Sequence, residues 1–292
     1  MSVSIFRVSG TIGAVLCMQC YMAGAALAEG PAVSGVNGKV EVSGGGVSSP
    51  ASGAYRLGGS IAVPLGDTFG FQGDLSIQSY GALAGAGAVH LFTRDPDLYL
   101  AGITAGVVRS STATLTALGA EGELYLGQLS FEAWAGVANL DYDALSAVDK
   151  SGFFAMADIG WYATDDLRLS IGASSVLGYE ALNLGAEYQV TSFDTPFSLT
   201  ADARFGENGN ITAMAGLKFY FGGEQKSLID RHRQDDPKDR GLDLFAAAGS
   251  QVTETGVPES PARDPIPSDF TDQSSCEAAG FEWWGGSCKY LT

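Results

Sequence analysis

From Val36 to Phe221 the chain is built of short runs in which apolar and polar residues alternate with period two, each run bounded by Gly, Pro, Asp, Asn or Ser. Successive side chains of a β-strand point to opposite faces, so this alternation predicts strands with one apolar and one polar face. Twelve runs can be read: 36–47, 53–65, 69–79, 83–92, 98–108, 113–126, 129–139, 152–162, 167–176, 181–190, 197–205 and 211–221. The second carries Tyr55, Leu57, Gly59, Ile61, Val63 and Leu65 on one face, and the eighth carries Phe153, Ala155, Ala157, Ile159 and Trp161. No charged residue falls on this face in any of the twelve. The charges take the opposite parity: Lys39, Glu41, Arg56, Asp74, Glu121, Glu123, Glu132, Asp158, Arg168, Glu187, Asp202, Arg204 and Lys218, with His90 beside them.

Two environments exclude charge from a whole face. One is the dry core of a soluble sandwich or barrel. The other is lipid, with the apolar face outward and the polar face lining a lumen. Three features favour lipid. The strand number is even, and runs of about ten residues cross a hydrocarbon layer at a tilt. With both ends of the sheet on the periplasmic side, Phe69, Phe71, Tyr99, Phe131, Trp161, Tyr188, Phe197, Phe219 and Phe221 gather near one rim, and Tyr55, Phe153 and Phe205 near the other. Two aromatic belts belong to membrane interfaces. The apolar face is also rich in Gly and Ala, which fill a soluble core poorly. The expected fold is therefore all-β, a closed antiparallel transmembrane barrel of about twelve strands, since only a closed sheet pairs every backbone group in lipid.

The stretch Gly216-Leu217-Lys218-Phe219-Tyr220-Phe221 ends the pattern on an aromatic. It resembles the closing strand of porin-like outer-membrane β-barrel proteins, and the run FGGEQKSLIDRHRQDDP from Phe221 resembles tails on such barrels of alphaproteobacterial type. The resemblance is one of architecture. It implies insertion into outer-membrane lipid with help from a barrel-assembly machinery during biogenesis.

The N-terminus agrees with export. Arg7, the apolar run Ile12 to Leu16 and the Ala26-Leu27-Ala28 site read as a secretory signal cleaved after Ala28. The net charge is −17 for the 292 residues. So acidic a chain repels nucleic acid, which is excluded as a partner.

After Phe221 the composition changes. Residues 222–248 form a charged segment, read as a short helix broken at Pro237 and hanging in the periplasm with His232 solvated. Residues 249–275 are a Pro/Ser-rich linker without a core. Residues 276–292 hold Cys276 and Cys288, the two cysteines of the mature chain, read as one disulfide clipping a hairpin that carries Trp283 and Trp284. The motif resembles small Cys-Ala-Ala-Gly-x-x-Trp…Cys modules at the ends of bacterial exported proteins. The domain reading is thus signal 1–28, barrel 29–221, charged segment 222–248, linker 249–275 and clipped hairpin 276–292.

Candidate chemistry is confined to two places. The fourteen polar-face residues named above would line a lumen. They would give either a narrow, weakly cation-preferring channel for small polar solutes or a closed, salt-bridged interior. The tryptophans of the clip would either contact a periplasmic protein or peptidoglycan, or pack together as a minimal core. A third reading, an outer-membrane lipid hydrolase, needs a base within reach of a nucleophile at the membrane interface. His90 is the barrel's histidine, but its parity puts it on the polar face and no serine pairs with it in sequence. No catalytic residue, metal site or cofactor is read, and the chain is taken as a non-enzyme.

Overall fold

The computed structural model describes residues 31–48, 51–80, 82–144, 148–192, 196–222, 225–248, 267, 270, 272–278 and 280–289. The signal reading and most of the linker lie outside them. Alternation becomes twelve strands: β1 (Asn37–Ser48), β2 (Ala51–Leu65), β3 (Phe69–Tyr80), β4 (Leu83–Asp95), β5 (Tyr99–Ser110), β6 (Ala113–Leu126), β7 (Leu129–Tyr142), β8 (Lys150–Thr164), β9 (Leu167–Val176), β10 (Tyr179–Val190), β11 (Phe197–Gly206) and β12 (Ile211–Gly222). Each pairs antiparallel with its neighbours in sequence. β12 then pairs with β1, from Asn37 against Gly222 to Val47 against Thr212, which closes the barrel. At the end holding both strand termini the turns are tight. Gly66 and Gly127 take left-handed backbone angles there, φ +68° and +58°, which residues with a Cβ adopt at a steric cost.

The outer surface is what a water-soluble protein would bury. Leu75 is 76% exposed and Phe153 83%, and Leu57, Ile61, Ile103, Leu118, Val137, Ile171 and Leu184 lie open beside them. The inner face is buried and mostly polar at the terminus end, with Gln72, His90 and Arg94 almost fully enclosed. This inside-out arrangement is stable only against hydrocarbon, so the barrel is a membrane-spanning one. The closing strand follows the same rule. Phe219 and Phe221 are exposed, Tyr220 is buried, and a Cβ at Gly38 would collide with the Phe221 ring that lies over it.

The charged tail departs from the sequence reading. It does not hang outside. It turns back into the barrel as two helices, α1 (Leu228–Gln234) and α2 (Arg240–Ala248), with Pro237 between them. Ser227 caps α1 by accepting from the Asp230 amide. α2 packs mainly on β4 and β5 and also touches β3, β9 and β10. Barrels of eight strands are filled by side chains, while those of sixteen leave a channel. A twelve-strand barrel leaves room of intermediate width, and here chain occupies it. Residues 31–36 add a second cover at the terminus end. Ala32 and Val33 are fully buried with Phe92, Leu100 and Tyr125, and the Ser34 amide donates to the Gln234 carbonyl at 3.1 Å.

At the C-terminal end a short helix, α3 (Gln273–Ala278), precedes a hairpin of β13 (Glu282–Trp284) and β14 (Ser287–Lys289). The disulfide joins Cys276 on the helix to Cys288 on β14. The module is thus a helix clipped to a hairpin, where the sequence suggested a hairpin alone. Gly285 and Gly286 both take positive φ in its turn, as a tight hairpin requires.

Candidate functional site: the lumen and its internal segment

Alternation sets the inner face, and the tail meets it rung by rung. At the terminus end the α1 backbone is held by the wall. The Leu228 amide donates to Asp166 Oδ1 at 3.2 Å, and the Ile229 amide to the Asp165 carbonyl at 3.0 Å. Arg231 lies over the Tyr220 ring and donates to Gln189. Arg233 donates to the Gly127 and Leu129 carbonyls, both at 2.9 Å. His232, expected in solvent, is half-buried and hydrogen-bonded to the Tyr162 hydroxyl at 2.9 Å. Lys226 pairs with Asp235 at 2.9 Å, and Ser34 also donates to Asp235, tying the N-terminal cover to α1.

Deeper in, the segment between the helices meets the charged rung. Lys39 Nζ donates to the Pro237 carbonyl at 2.6 Å and lies 3.9 Å from Asp236. Lys238 Nζ sits 2.6 Å from Asp158 and 3.3 Å from Glu132. The Arg240 amide donates to Asp74 Oδ2 at 2.9 Å, and its guanidinium pairs with Glu121 at 3.3 Å and with Asp243 at 3.0 Å. The polar face counts eight acids against five bases among the candidate residues. Lys238 and Arg240 meet four of those acids, which is the electrostatic reason the segment seats there.

The remaining candidates are held by the wall itself. His90 bridges two carboxylates, Nε2 to Asp74 at 2.8 Å and Nδ1 to Glu121 at 3.0 Å. Arg56 pairs with Glu41 at 2.7 Å and Asp202 at 3.0 Å. Arg168 pairs with Glu132 at 2.6 Å, and Lys218 with Glu187 at 2.6 Å. Tyr220 donates to the same Glu187. Glu123 accepts from the Tyr125 hydroxyl at 2.9 Å, and Arg204 donates to Ser174 at 3.2 Å. All fourteen candidates therefore lie on the inner face, most of them in ion pairs.

Beyond these pairs, towards the end away from the termini, the inner face of β4 to β9 becomes apolar. Ala84, Ala86, Val108, Leu115, Trp134, Leu140, Phe154, Met156 and Val176 form a buried cluster with Leu244 and Ala247 of α2. The Trp134 and Phe154 rings meet edge to face at 4.7 Å. On the other side of α2 lie two cavities of ≈190 and ≈170 Å³. Glu132, Arg168, Glu187 and Lys218 line the first, and Tyr80, Asp158, Arg204 and Ala246 the second.

Sequence reasoning missed three kinds of residue. Arg94 falls just past the fourth run, which ends at Phe92, yet β4 runs to Asp95 and the Arg94 side chain is fully buried beside Phe92, 5.1 Å from the ring centroid. Its even number, the parity of His90, was the available signal. Asp236, Lys238, Arg240 and Asp243 carry no alternation, and only the mixed charge of their segment hints at an ionic partner. The apolar inner cluster was legible as Val108, Leu115, Trp134 and Phe154 standing at polar-face parity. Of the tryptophans in the clip, strand alternation sends Trp283 and Trp284 to opposite faces. Trp284 is 69% exposed, with the Lys289 ammonium 4.6 Å from its ring centroid.

No family model matches the chain, and no curated protein matches it. Solved structures are similar in architecture. A KdgM porin in complex with disordered oligogalacturonate is 10% identical, over 63% of this chain and 99% of that one, with a TM-score of 0.47. The Acinetobacter baumannii outer membrane protein Omp33 is 10% identical over 64% and 98%, with a TM-score of 0.40. Outer membrane phospholipase A from Escherichia coli is 13% identical over 63% and 92%, also at 0.40. The likeness covers the wall and is one of barrel architecture.

Proposed function

We propose that this chain is a porin-like barrel of the outer membrane whose lumen is closed by its own C-terminal segment, and which conducts small polar solutes when that segment leaves. The observation that carries the reading is the seating of Lys238 and Arg240 among Asp74, Glu121, Glu132 and Asp158, on the charged inner face that would otherwise line the path. The exposed apolar belt supports contact with membrane lipid, and the closing strand supports handling by the barrel-assembly machinery. The hydrolase alternative is disfavoured by His90. Both its ring nitrogens face carboxylates inside the lumen, away from lipid, so it has no free base position for an interfacial nucleophile.

Planar-bilayer recording tests this directly. The full chain is expected to be silent or nearly so, and a chain ending at Gly222 to conduct with a mild cation preference. Changing Glu121 and Glu132 to Gln in the shortened chain should reduce that preference. Equal conductance from the full and shortened chains would reject the internal closure.

A further inference from the structure

The direction of the internal segment has a consequence for everything that follows it. The segment enters at the terminus end, where Arg231 meets Tyr220 and Gln189. Pro237 lies at Lys39, and Arg240 at Asp74 and Glu121. Next, a Cβ at Gly58 would touch Leu242, and one at Gly106 would touch Leu244. Ala247 packs in the apolar cluster that holds Ala84, Ala113 and Tyr142, at the opposite-rim ends of β4, β6 and β7. The chain therefore climbs the lumen without reversing, and α2 ends near the mouth opposite the one it entered.

From there three routes remain for the residues after Ala248. A return outside the wall would draw unpaired backbone through hydrocarbon, which is prohibitive. A return inside must pass α2 through two small cavities, the first of them crossed by the Arg168–Glu132 and Lys218–Glu187 pairs. The third route is onward through the far mouth, which costs neither. Length does not oppose it, since the 24 residues from 249 to 272 can reach roughly 80 Å when extended.

We propose that the barrel carries its own C-terminus through the membrane and presents the disulfide-clipped module, α3 with β13 and β14, on the face opposite the strand termini. With those termini periplasmic, that face is the cell exterior. The second function is display, and the module's placement departs from the periplasmic one read from sequence. The inference rests on the internal-closure reading above.

The test uses the full chain in intact cells, with an epitope inserted after Ser260 and antibody applied before and after outer-membrane permeabilisation. Equal labelling in the two conditions is expected. In the same chain, cysteines at Gly106 and Leu244 are joined by a short thiol-reactive crosslinker, which reports whether α2 is in the lumen. The pair Gly58→Cys and Leu242→Cys serves if the first pair perturbs folding, as judged by heat-modifiable migration. Labelling only after permeabilisation overturns the display inference. If the crosslink still forms, the internal closure stands alone, and if it fails, that reading falls too. Labelling of intact cells without any crosslink overturns the route through the lumen.

Discussion

Arg240 shows how a single side chain can join two parts of a chain far apart in sequence. It is 1% exposed, and its partners Asp74 and Glu121 lie on β3 and β6. Removing one partner of a buried pair leaves the other charge without compensation, at a cost of about 3 kcal/mol. Arg240→Ala is therefore expected to unseat the internal segment and lower the crosslink yield between positions 106 and 244, with Arg240→Lys partly restoring it. His90 stays bridged to Asp74 and Glu121, so the wall should survive, and unchanged heat-modifiable migration would show that it does. A second residue acts at the other end of the chain. Asp272 accepts from the Ser275 and Ser274 hydroxyls and from the Ser275 amide at the start of α3, and these bonds hold its carboxyl down at about 2. A depressed carboxyl stabilises the module above the ordinary Asp range and stops doing so as pH falls to that value. Tryptophan fluorescence of the isolated clip segment should thus be flat at neutral pH and change between about pH 4 and pH 2. Asp272→Asn should abolish that transition.

At the scale of elements, α2 is informative because it is too short to stand alone. Helices under about twelve residues are marginal in water, and most helical stability comes from packing. A peptide of residues 225–248 should therefore show a coil-like circular dichroism spectrum. Inside the barrel, α2 exists through its apolar side, with Leu244 fully buried against the cluster around Trp134. Leu244→Ala is expected to weaken docking by about 3 kcal/mol, the usual cost of a buried Leu. Open-channel events in planar bilayers should then appear far more often than in the unaltered chain, and an unchanged record would count against α2 as the closing element. The strands were legible for the opposite reason. Each satisfies a local rule, period two, and their charges sort by parity without knowledge of neighbours. Arg94 was lost only where a strand ran past its apparent turn.

For the whole molecule, the decisive surface is the outer one. Leu75 lies mid-strand and is 76% exposed. An Arg at the bilayer midplane of a barrel costs about 3 kcal/mol. Leu75→Arg should lower the urea midpoint of folding into lipid vesicles accordingly, while a charge at the same position should matter little in water if the barrel were soluble. The two ends of the barrel also differ. The terminus end is covered by residues 31–36 and α1, and the far end is filled on one side by the apolar cluster and α2.

Sequence alone determined what depends on neighbours along the chain: the strands, the face each residue takes, the closing pair of β1 and β12, and the cysteine pair. Tertiary structure decided where the charged tail goes. Its partners, Asp74, Glu121, Glu132 and Asp158, lie 80 or more residues away, and periodicity cannot see across a barrel. Whether a helix enters depends on the width that twelve strands enclose and on the excess of acid they gather inside, and both exist only once the sheet has closed.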